Sequence, residues 1–290
     1  MQLVFANMKH VSKQMSEFLY HYTSMDALCS LLNEYREHKL TENLCFWASS
    51  IFTMNDPREM THGVEVLEIL LPAIEKLFGL PSENSLDIKN LDREKVLKDT
   101  TKTPFILSFT SNEDELGMWN LYGDNGCGIS LILSKDIKTC SLKGVNNSGL
   151  VKVNYKKGID NYPNLANIFN SGIVEWRSYD EPAKIKECKE RTLSKLFTQL
   201  CPYIKSEAYK KENEYRICFT DVLYNKVKFR TRNKNIIPYI EVPIPIKYLK
   251  GIQLGPCCNS ELAEQSLRFL LNTCGLNIEI YRSNIPYRNI

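Results

Sequence analysis

Short apolar blocks punctuate this chain, and their spacing sets the expected elements. Phe18 to Thr23 is aromatic and β-favouring and reads as a strand. Ala27, Leu28, Leu31, Leu32 and Tyr35 follow at helical intervals, and Thr23 and Asp26 have capping-box spacing. Cys45 to Ile51 predicts a second strand. Asn55-Asp56-Pro57 must turn, because proline pushes its predecessor out of helical geometry. Val64 to Phe78 is apolar around more than half its circumference and predicts a buried helix. Residues 80–103 are polar with little periodicity and read as a surface excursion.

Further on, Phe105 to Thr110, Gly128 to Leu133 and Leu150 to Tyr155 predict strands, while residues 160–182 are irregular and 184–205 look helical. Glu214 to Thr220, Ile236 to Val242 and Gly251 to Leu254 predict three more strands. Asn259 or Ser260 caps a last helix that stops near Gly275, and Asn277 to Tyr281 closes as a strand. Helices inserted between strands, without a regular βαβ alternation, argue for an α+β fold over a doubly wound sheet. The expected organisation is a loose arm over 1–17 and one domain over 18–290, with an irregular and helical insertion at 156–205. No Rossmann or Walker glycine loop occurs.

Composition changes this picture little. Hydrophobic residues make up 43% of the 290 and charged ones 24%, ordinary for a soluble globular protein. A net charge of +3 gives no global argument for nucleic acid. The basic run Lys226 to Arg232 reads as a solvated face. Ten cysteines show no C-x-x-C pair and no zinc spacing, so no metal is expected. Most sit in apolar segments, and no stretch has signal-peptide form or membrane-spanning length, so a cytoplasmic protein with reduced thiols is expected.

Several polar residues fall where chemistry is possible. In Glu214-Tyr215-Arg216-Ile217-Cys218, alternation sets Glu214, Arg216 and Cys218 on one face. A structural ion pair fits, and so does a carboxylate that stabilises a cationic sugar. His21, between Tyr20 and Tyr22, is either a satisfied core histidine or a donor to a ribose hydroxyl or phosphate. Ser49 and Ser50 point oppositely, so only one can line a cleft. Asn55 and Asp56 suit turn chemistry, which leaves Glu59 unexplained. Trp119 and Tyr122, spaced i, i+3, are either core rings or a stacking platform with at least one ring partly exposed.

In order, the segments Tyr20-His21-Tyr22-Thr23-Ser24, Trp47-Ala48-Ser49, Met54-Asn55-Asp56-Pro57-Arg58-Glu59, Met118-Trp119-Asn120-Leu121-Tyr122-Gly123, Glu212-Asn213-Glu214-Tyr215-Arg216 and Ile285-Pro286-Tyr287-Arg288 resemble a bacterial family known as domain of unknown function 2971. The resemblance runs from Leu19 to near the C-terminus. That family is in turn similar, in strand order and polar positions, to ADP-ribosyltransferases. The resemblance implies a mixed, mostly antiparallel sheet split around an NAD-type cleft. It implies Glu214 and His21 as catalytic residues, and Tyr22, Thr23, Trp47, Ser49, Ser50, Asn55, Asp56, Trp119, Tyr122 and Arg216 around NAD. The tyrosine usual on the second strand is replaced, so another ring, from Trp47, Trp119 or Tyr122, must stack. The implied activity is ADP-ribosyl transfer from NAD to a protein or nucleic acid, or NAD hydrolysis, by a toxin or antiphage effector with a possible partner protein of a defence system. The alternative is a non-catalytic nucleotide- or protein-binding module.

Overall fold

A computed structural model describes residues 17–38, 41–77, 79, 85–93, 96, 102–155, 168, 170–172, 175, 178–232, 234–258 and 260–287. The expected arm, apart from Glu17, and most of residues 156–180 lie outside that set. The fold is α+β with a mixed, mostly antiparallel sheet. Its contacts group into two compact units: one from Met1–Asn43, Phe109–Ile137 and Pro245–Ile290, the other from Leu44–Ser108 and Lys138–Ile244. Among the described residues, no helix is long and apolar enough to cross a membrane.

In the first unit β1 (Phe18–Thr23) runs antiparallel to β4 (Ile129–Ser134), with His21 opposite Leu131. On its other side Tyr20 meets Thr110, at the end of β3 (Phe105–Thr110). Next to β4 lies antiparallel β9 (Leu249–Leu254), and β10 (Glu279–Arg282) joins it in parallel. Helix α1 (Met25–Glu37) buries Leu28, Leu31, Leu32 and Tyr35, as their spacing requires. Its cap is Ser24, one residue later than the capping-box spacing suggested: the Ser24 hydroxyl accepts the Ala27 N–H at 3.2 Å. A second helix covers Glu261–Cys274, capped by Ser260 and ended by Gly275 at φ 69, where a left-handed residue closes the last turn. The Cys274 thiol reaches the Leu32 carbonyl at 3.5 Å and ties the two helices together.

The second unit takes β2 (Asn43–Ser50) from Leu44 onward, antiparallel to β3, with Ser49 opposite Ile106. β6 (Glu214–Thr220) pairs with β3 and, antiparallel, with β5 (Asn146–Lys152). Beside β2 lies β8 (Asn235–Pro245), and β7 (Lys228–Arg232) pairs antiparallel with β8. β7 was hidden in the basic run: its side chains are half-buried or exposed on both faces, so no apolar alternation marks it.

A helical core completes this unit. Val64, Leu67, Leu71 and Ile74 of α2 (Glu59–Leu77) cluster with Leu193, Leu196 and Phe197 of the helix Pro182–Gln199. Leu86, Ile88 and Val96 join the same cluster, so the segment expected to be a surface excursion contributes to the core. It does so through single apolar side chains, of which Ile88 lies on a short 3₁₀ turn, Ile88–Asn90, capped by Asp87. One turn is too short to leave a period in the sequence.

Gly63 lies in the first half of α2, where a Cβ would come within 2.5 Å of Cys201 Cβ and 2.7 Å of its Cα. Helix propensity favours Gly63→Ala by about 1 kcal/mol, but overpacking against backbone typically costs about 1–3 kcal/mol. The steric effect wins, so Gly63→Ala is expected to lower the unfolding free energy in urea titrations; a stabilised variant would mean that the helix and Cys201 separate freely.

Candidate functional site

Alternation along β6 sets Glu214 and Arg216 on one face, as expected, and that face points into the second unit. Arg216 is fully buried and all five of its N–H donors are engaged. Nη1 and Nη2 donate to the two oxygens of Glu59 at 2.6 and 2.7 Å. Nε and Nη2 donate to the two oxygens of Glu214 at 2.7 and 2.9 Å, and Nη1 also donates to the Pro202 carbonyl at 2.6 Å. Lys205, equally buried, donates to Glu212 at 2.6 Å and to Glu214 at 3.1 Å, and lies 3.5 Å from Glu59. Three carboxylates and two cations thus form one closed network.

The electrostatics follow from this enclosure. Burial alone would raise the Glu214 carboxyl, but Arg216 and Lys205 outweigh it and hold the group well below the usual carboxylate range. Burial would likewise lower the Lys205 ammonium, yet Glu214, followed by Glu59 and Glu212, drives it upward despite repulsion from Arg216. The network accounts for Glu59, the residue that turn chemistry left unexplained. It also forms the structural ion pair that alternation along β6 allowed, with both Glu214 oxygens committed. Arg216 has no donor left for a ligand. Nearby, Asp56 is buried and its Oδ1 accepts the Arg58 N–H at 2.8 Å, as turn chemistry requires, while Asn55 is exposed.

A different group forms where β2, β8 and β7 lie side by side. Burial alternates along β2, so Trp47 and Ser49 face outward while Ser50 faces in. This settles which serine lines an accessible face. On β7 the alternation sets Lys228, Arg230 and Arg232 on one face, with Tyr239 opposite Lys228. Arg230 leans back over the rings: its Cζ is 5.1 Å from the Trp47 centroid and 5.9 Å from that of Tyr239. The two rings are 5.3 Å apart. Arg230 Nη2 donates to the Ser49 hydroxyl at 3.0 Å, whereas its buried Nε has no hydrogen-bond partner. Partial burial, and next the neighbouring Arg232, press the Arg230 guanidinium below its ordinary pKa. Trp47 and Ser49 were legible as candidates. Arg230 was not, because its signal is only the i, i+2 spacing of basic residues in a run that resembles solvated surface.

The remaining candidates belong to the first unit. His21 is half-buried, with its ring centroid 5.8 Å from that of Phe109. Tyr22 is buried; its hydroxyl donates to the Asn112 carbonyl at 3.0 Å and accepts the Glu115 N–H at 3.3 Å. Thr23 is half-buried at the end of β1. Trp119, on the short helix Leu116–Tyr122, is fully buried, edge-on to Tyr22 at 4.7 Å, with its indole N–H donating to Asp114 at 2.9 Å. Trp119 is therefore a core ring that offers no open face for stacking, while Tyr122 is half-buried against the same cluster. Among the described residues, no group of three or more His, Cys, Asp or Glu side chains is placed to hold a metal ion.

Two outcomes test the buried network. Arg216→Met leaves three buried carboxylates, Glu59, Glu212 and Glu214, with Lys205 as their one remaining cation in the network, so it should lower the unfolding free energy by roughly 3–5 kcal/mol, measured in urea. The depressed Glu214 group contributes stability that is complete above its ordinary value of 4.5 and lost as pH falls toward about 2. Glu214→Gln should therefore destabilise the protein at neutral pH and flatten that acid limb. A variant as stable as the parent, with the same acid limb, would free Glu214 for another role.

A family model described as "Protein of unknown function (DUF2971)" matches residues 118–217. That stretch holds the Trp119 helix, the Pro182–Gln199 helix, Lys205, Glu212, Glu214 and Arg216, but not Trp47 or Arg230. No curated protein and no solved structure matches the chain. Over residues 118–217 the chain resembles this family of proteins of unknown function.

Proposed function

We propose that this protein binds a nucleotide on the face formed by Trp47, Ser49, Arg230 and Tyr239. One observation carries the reading: Arg230 is a half-buried guanidinium seated on two rings, with no carboxylate against it among the described residues. Arg216 in the same unit is the counterexample, a buried arginine with two carboxylates closed on it. A desolvated cation without its anion is costly. An arginine fork suits phosphate, and an adjacent indole suits a base. Ser49 adds a hydroxyl that can turn toward a ribose or phosphate oxygen.

NAD is the ligand to try first, because the family resemblance points to it and it offers both a diphosphate and two planar rings. ADP-ribosyl transfer from NAD remains the catalytic reading, and the engagement of both Glu214 oxygens favours the binding module over it. In the transfer reading Glu214 would have to leave Arg216 and Lys205 to face a cationic ribose.

Isothermal titration with NAD, ADP-ribose and AMP tests the site directly. Arg230→Ala should weaken binding by about ten- to a hundredfold, the equivalent of one or two charged hydrogen bonds, and Trp47→Ala by about tenfold. Trp119→Phe, a change inside the core, should leave affinity as it is. Undiminished affinity in Arg230→Ala would refute the assignment. Nicotinamide release from NAD, abolished in a folded Glu214→Gln variant, would instead establish the transferase.

A further inference from the structure

The Arg230 site does not stand alone on its strand. Lys228, Arg230 and Arg232 share one face of β7, with Lys226 just before the strand and Lys234 in the turn after it, at φ 66. Lys228 pairs with Glu241 at 2.5 Å. Neither Arg230 nor Arg232 has a carboxylate partner among the described residues, and Arg232 is exposed. Among the described residues β7 ends the order of paired strands on its side of the sheet, and four of its five side chains are exposed. The protein's small net charge conceals this local strip.

We propose that the strip binds single-stranded nucleic acid, with successive phosphates on Arg230 and Arg232 and a base against Trp47. This rests on the nucleotide reading of the Arg230 site and names the polymer that extends it. Spacing supports it. Residues i and i+2 on a strand are about 6.6 Å apart, so Arg230 and Arg232 can each meet a different phosphate of one strand. A base reaches a ring only when it is out of a duplex stack, and this is where Trp47 favours a single strand. Aromatic rings interleaved with a basic track are how such strands are held without sequence preference. An acidic peptide would use the cations but not Trp47. A duplex would keep its bases away from the ring.

Fluorescence anisotropy of the full chain with a 5′-labelled 12-residue oligothymidylate and its oligouridylate counterpart is the test. Binding is expected to weaken with salt, with a log–log slope of about −1.4 for two phosphate contacts on a single strand. Arg232→Ala should weaken binding several-fold and reduce the slope by about 0.7, and Arg232→Lys should restore most of both. Trp47→Ala should weaken binding by about tenfold, and NAD should compete with the oligonucleotide. Thermal melting confirms that each variant is folded. Oligonucleotide that fails to bind while NAD binds overturns the polymer and leaves the nucleotide site standing; failure of both removes both. Equal affinity for polyglutamate of the same length, or for a duplex, also overturns the proposal, as does an Arg232→Ala variant with parental affinity and slope.

Discussion

Arg216 is a cation with no route to water, and much of the second unit is arranged to satisfy it. Its five donors need five acceptors in fixed directions. Two carboxylates and one backbone carbonyl supply them from the start of α2, the start of β6 and the turn that holds Pro202. Three segments distant in sequence are thereby held at hydrogen-bonding distance from one guanidinium. Lys205 closes the remaining side and makes the arrangement one network of alternating charge. Such a network contributes little net stability relative to apolar residues of the same volume, but losing one member is severe. Its effect is to fix registry: an α2 shifted by one residue would strand Glu59 and leave two donors empty.

The same unit shows a second arginine under a different constraint. Arg230 has aromatic faces where Arg216 has acids, one serine hydroxyl, and an Nε with no acceptor. The contrast between complete and incomplete satisfaction of one residue type, within one compact unit, is what the nucleotide proposal rests on. Glu214 and Arg216 looked like candidates because acids and bases alternate on a strand. Their geometry commits both to one buried network, and the proposed nucleotide site lies on a strand that carries no acid.

Most elements were legible because periodicity and caps act locally. Ser260 and Gly275 bracket their helix, and β6 begins at Glu214 and ends at Thr220 as its alternation implied. Where tertiary contact decides, local pattern fell short. Nothing around Lys205 marks it as buried, since its partners come from three other segments. Leu86, Ile88 and Val96 enter the core one at a time and leave no period. Trp119 and Tyr122 do share a helical turn, but which ring would be covered depended on Tyr22 and Asp114.

The division into units also bears on how the chain reaches this fold. The path passes between the units near residues 43, 108, 137 and 244, so neither unit is one continuous stretch. β4 waits for β9, and β9 for β10, both of them supplied by the last segment, Pro245–Ile290. During synthesis the first unit cannot close its sheet until the segment from Pro245 onward has been made, and its pairings span long stretches of sequence. Until then β4 presents an apolar strand with one edge unpaired, the kind of intermediate that chaperones shield. Removing the last segment would therefore not trim the protein but leave β4 held by β1 alone, with its other edge bare.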